Sequence, residues 1–67
     1  MTKKELIQDL TKQLTSVRER INQLKNKYFN EVLNDYDSYH IKYMIGLYEG
    51  QEMILEQVLE DLKDLRA

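Results

Sequence analysis

The sequence predicts an all-α protein: an antiparallel two-helix hairpin, coiled-coil-like, that dimerises into a four-helix bundle. Three observations predict it. Apolar residues recur at alternating steps of three and four through two long segments. Proline is absent, and the two glycines both lie in the second half. One short stretch between the segments, Asn34-Asp35-Tyr36-Asp37-Ser38, is rich in turn and cap residues.

The first helix is expected over about residues 3–33. Thr2-Lys3-Lys4-Glu5 reads as a capping box, in which the threonine hydroxyl and the glutamate side chain exchange hydrogen bonds with each other's amides. Ile7, Leu10, Leu14, Val17, Ile21, Leu24 and Tyr28 then form a narrow seam. The next seam position is Glu31, and Phe29, Val32 and Leu33 are expected to take over the apolar role there.

A corner is expected at about residues 34–37, with Asp35 or Asp37 capping the second helix. That helix is expected over about residues 38–65. Its seam reads Ile41, Met44, Tyr48, Gln51, Leu55, Val58, Leu62 and Leu65. Lys63 and Arg66 fall in the last turn, where cations suit the helix dipole.

Charge supports the antiparallel pairing. Residues 1–34 hold seven Lys/Arg against four Asp/Glu, and residues 35–67 hold three against eight. A basic half facing an acidic half is complementary. With the corner near Tyr36, Arg20 falls by Glu52, Arg18 near Glu56 and Lys12 by Glu60.

Composition excludes several functions. Sixty-seven residues allow one small domain. There is no cysteine, so no disulfide staples it, and His40 is the only histidine, so no metal site is expected. Self-association or a partner is the remaining way to complete the core. No apolar run reaches the length of a membrane span, and no secretory signal follows the basic start, so a cytoplasmic location is expected. No phosphate loop, nucleophile elbow or His-Glu-x-x-His motif occurs. Glu49, Glu52, Glu56 and Glu60 lack the histidines of a di-metal bundle and read as a solvated face or as partners for Arg18 and Arg20. Arg18, Arg20, Lys25 and Lys27 form a modest basic segment, but the overall acidity, net −2, argues against nucleic acid. No enzyme chemistry, catalytic residue or cofactor is expected.

What remains is a surplus of apolar surface on the second helix. Ile45, Leu47, Ile54 and Leu59 flank its seam. The face pointing away from the first helix carries Tyr39, Tyr43, Gly46, Gly50 and Met53, where lysine, glutamate and glutamine belong. Two readings stay open. The stripe is the core of a homo-oligomer, or it docks a different protein.

Gly50-Gln51-Glu52-Met53-Ile54 is similar, in its middle pair only, to the Ser-Gln-Glu-Leu-Asp signature of small sporulation aspartyl-phosphatases. Ile54 stands where that family has its functional aspartate, and the activity does not carry over. Tyr39-His40-Ile41-Lys42-Tyr43-Met44-Ile45-Gly46-Leu47-Tyr48-Glu49-Gly50-Gln51-Glu52, followed by Val58-Leu59-Glu60-Asp61-Leu62, resembles small accessory proteins of phages and prophages of low-GC Gram-positive bacteria. That resemblance implies a non-enzymatic inhibitor or regulator that binds a bacterial protein, as in host takeover or nuclease inhibition. A structural, homo-oligomeric assembly protein is the alternative, and a nucleic-acid accessory protein the third.

Overall fold

A computed structural model describes residues 1–64. Two helices form an antiparallel hairpin: α1 spans Lys3–Asn30 and α2 spans Asp35–Asp64. Leu65 and Arg66 lie outside the described residues. The α1 start carries the first bond of the capping box, the Thr2 hydroxyl accepting from the Glu5 amide at 3.1 Å; the Glu5 carboxylate accepts from that same hydroxyl, at 3.1 Å, where the box expected it to take the Thr2 amide.

The corner differs from expectation. α1 stops at Asn30, not near residue 33, and Glu31–Asn34 connect the helices. Phe29 and Val32 do not become core; they are 75% and 104% exposed, and only Leu33 is half-buried. The cap of α2 is Asn34, not Asp35 or Asp37. The Asn34 side-chain oxygen accepts from the Asp37 amide at 2.7 Å, and its carbonyl accepts from the Ser38 amide at 2.9 Å. The asparagine carboxamide starts the helix at Asp35, about three residues earlier than expected, and both aspartates then lie in the first turn, where their charge suits the dipole.

The core runs along one line between the helices. Leu14, Ile21 and Leu24 are buried from α1, and Ile41 and Leu59 from α2. The α1 seam is the expected one. The α2 seam keeps Ile41, Met44, Tyr48, Leu55 and Leu62 of the expected one, all buried or half-buried, and departs from it at Gln51 and Val58, which are exposed. The line that packs on α1 reads Ile41, Ile45, Tyr48, Glu52, Leu55, Leu59 and Leu62. These seven positions are again spaced by three and four.

A glutamate sits in that seam because α1 supplies its counter-charge. Arg18 Nε donates to Glu52 Oε2 at 3.0 Å and Nη2 to Glu56 Oε1 at 2.9 Å. Lys25 Nζ lies 3.4 Å from Glu49. Of the three expected pairs, Arg18–Glu56 forms. Arg20 instead donates to Gln23 at 3.4 Å, and Lys12 and Glu60 do not pair.

The molecule is a rod, with extents of 52 × 16 × 14 Å and a radius of gyration of 15.4 Å. A compact chain of this length has a radius near 11 Å. Its accessible surface is 5497 Å², against about 4,500 Å² for a folded monomer of its mass. No side chain among the described residues is completely buried. The rod therefore exposes about 1,000 Å² more than a globule of equal mass would.

Candidate protein-binding face

At 100° per residue, the charged side chains of α2 between Tyr39 and Leu59 fall on one narrow strip. They are Lys42, Glu49, Glu52 and Glu56, within an arc of about 80°. Arg18 and Lys25 bind three of them from α1. Lys42 joins the same side, its ammonium 5.8 Å from the Tyr28 ring centre. The hydrogen bond to Glu56, and then that to Glu52, hold the Arg18 guanidinium above its already high ordinary pKa. Three of the carboxylates of α2 are thus held by α1 along one edge of the contact between the helices.

The rest of α2 is left without charge over that span. Tyr39, Tyr43 and Met53 are 74%, 57% and 70% exposed, so the structure places these predicted site residues in solvent. Gly46 and Gly50 accompany them. Neither glycine has a positive φ, and a Cβ built on either meets nothing within 4 Å. The backbone does not require glycine at these positions, and neither does packing inside the hairpin. Each costs about 1 kcal/mol against alanine in a helix.

The structure widens the site beyond the sequence reading. Tyr36, Leu47 and Ile54 share the open face and are 76%, 48% and 65% exposed. Tyr36, Tyr43, Leu47, Gly50 and Ile54 follow a second three–four rhythm, offset from the seam that packs on α1. Its centre lies roughly 150° around the helix from the first. The signal was present in the sequence as the sevenfold spacing of Tyr36, Tyr43 and Gly50, and of Leu47 and Ile54. Tyr36 is obscured there because it belongs to a turn-rich stretch. In the structure it is helical and stacks on His40, ring centres 6.3 Å apart and planes 3° apart.

Shallow grooves border the rod among the described residues. One of about 290 Å³ is walled by Tyr28, Phe29, Lys42 and Gly46, among others. One of about 320 Å³ lies by His40 and Met44, and one of about 250 Å³ by Val17 and Ile54. They are clefts between two helices, open along their length. No group of three or more His, Cys, Asp or Glu side chains among the described residues is arranged to hold a metal ion. No helix among them is long and apolar enough to cross a membrane. The arrangement leaves an uncharged face of tyrosine, aliphatic and glycine residues about 30 Å long on α2. No family model, curated protein or solved structure matches the chain.

Proposed function

We propose that this chain is a non-enzymatic protein-interaction module, and that the uncharged outer face of α2 is its binding surface. The observation that carries the reading is the segregation of charge on α2. Four charged residues crowd one strip that α1 largely neutralises, while Tyr39, Tyr43, Leu47, Met53 and Ile54 stand exposed. Monomeric proteins rarely leave a contiguous apolar surface of this length uncovered. Tyrosine and methionine are the side chains that interface cores favour. In a cell, such a module regulates or inhibits the protein it covers, and a bacterial target follows from the resemblance to phage accessory proteins.

A homo-oligomeric role is the second reading. It is favoured by the surplus of about 1,000 Å² of surface, more than the roughly 800 Å² each partner buries in a standard interface. The test compares the parent chain with Tyr43→Ala and Gly50→Arg as baits against a Gram-positive bacterial lysate. Capture of one protein by the parent and not by the variants, with helicity preserved in both, supports the module. Equal capture by all three chains removes the face from the reading.

A further inference from the structure

We infer that the outer face of α2 takes a second copy of this chain, with the two α2 helices antiparallel and their two-fold axis beside Gly46 and Leu47. The inference rests on the reading of that face as protein-binding and takes its homo-oligomeric form, in which a second copy and not a bacterial target is the occupant. Three features of the chain support self-pairing.

The first is charge. Two copies of an acidic helix repel unless their carboxylates point elsewhere. Glu49, Glu52 and Glu56 all turn toward the α1 side, where Arg18 and Lys25 hold them. The outer face meets its own copy with no like charge opposed between Tyr39 and Leu59.

The second is shape. An isologous contact sets one patch against its own copy under one two-fold operation, so that position i faces position j and j faces i. Tyr43 and Gly50 stand symmetrically about the midpoint of Gly46 and Leu47. In the antiparallel arrangement each Tyr43 ring then lies over the partner's open Gly50, and each Tyr39 approaches the partner's Ile54. Leu47 meets its own copy near the axis on one side, and Gly46 on the other. This gives both glycines a purpose the monomer does not supply, since space around each is open.

The third is area. The rod exposes about 1,000 Å² beyond a compact chain of its mass, enough for one standard half-interface of about 800 Å². The two seams of α2 lie about 150° apart. The dimer is therefore a shallow row of four helices, α1 outermost at both ends, and not a square bundle, which would need seams about 90° apart.

The chain has no cysteine, so single-cysteine variants of the full chain report the contact cleanly. The parent is weighed by light scattering over a hundredfold concentration range. Variants are then oxidised. The expected result is a concentration-dependent dimer. Gly46→Cys links to itself, and a mixture of Tyr39→Cys and Ile54→Cys chains gives the mixed link in preference to either self-link. Leu47→Glu, which lies outside the hairpin seam, weakens the dimer by about 30-fold or more while circular dichroism stays helical. A parent that remains monomeric at every concentration overturns the inference. So does self-linking of both Tyr39→Cys and Ile54→Cys without the mixed product, which denotes a parallel pair, or a dimer indifferent to Leu47→Glu. A monomer that loses a captured target on Tyr43→Ala would leave the interaction module standing while removing the self-pairing. A monomer whose capture is indifferent to that change would remove both.

Discussion

Leu59 and Val58 are neighbours in the chain and opposites in the fold: Leu59 is 6% exposed against α1, and Val58 is 39% exposed on the far flank. Leu59→Ala is therefore expected to cost about 2–5 kcal/mol, as buried leucines do. Val58→Ala is expected to stay within about 0.5 kcal/mol. Urea unfolding of the two variants side by side checks the α2 seam directly. Equal losses would return the seam to Gln51 and Val58.

Leu14 is 7% exposed at mid-length in α1, and it tests the shared side of the seam. Leu14→Ala is expected to cost about 2–5 kcal/mol, while the adjacent Gln13→Ala, which is exposed, leaves the midpoint unchanged. An unmoved unfolding curve for Leu14→Ala would contradict the packing described.

The Arg18 clamp is electrostatic and half-exposed, its side chain keeping 52% of its accessible surface. Arg18→Gln is expected to lower the melting temperature slightly in dilute buffer. The difference should vanish near 1 M salt, where the screening length falls to about 3 Å. A loss that persists in high salt would show that the aliphatic stem of Arg18, and not its charge, is what matters.

Asn34 carries the start of α2 through one carboxamide oxygen. Asn34→Ala is expected to cost about 1 kcal/mol, and Asn34→Asp or Asn34→Ser to restore most of it. Hydrogen exchange should show the loss concentrated in the amides of the first turn, Asp37 and Ser38 above all.

Gly46 has ordinary helical backbone and empty space beyond its Cα. Gly46→Ala is expected to stabilise the isolated hairpin by up to about 1 kcal/mol. A destabilising outcome in dilute solution would mean that the α2 backbone at this position is not that of a regular helix.

The hairpin was legible where one rhythm stood alone. In α1 only one set of positions is apolar, so Ile7 through Tyr28 assigned themselves, and Thr2 marked the start. In α2 two overlapping rhythms are apolar. Sequence patterning favoured Gln51 and Val58 over Glu52 and Leu59, because a glutamate in a seam normally argues against it. The offsetting partner, Arg18, lies 34 residues earlier in the chain, a distance at which periodicity carries no information. The corner failed for a local reason. Asn34, Asp35, Asp37 and Ser38 all favour caps, and only the observed carboxamide–amide bond selects among them. The outer face was half legible: Tyr39, Tyr43, Gly46 and Met53 are exposed on α2, and Gly50 is half-buried among them. Leu47 and Ile54 were read as flanks of the seam and Tyr36 as part of the corner; drawn around the observed helix, all three share that face.

The rod shape has a hydrodynamic consequence. A single hairpin has a radius of gyration of 15.4 Å, while a compact protein of twice its length has one near 14 Å. On a column calibrated with globular standards, one hairpin would therefore elute where a dimer is expected. Stoichiometry for this protein has to be read from mass or from covalent capture, because its migration reports how long it is before it reports how many chains are present.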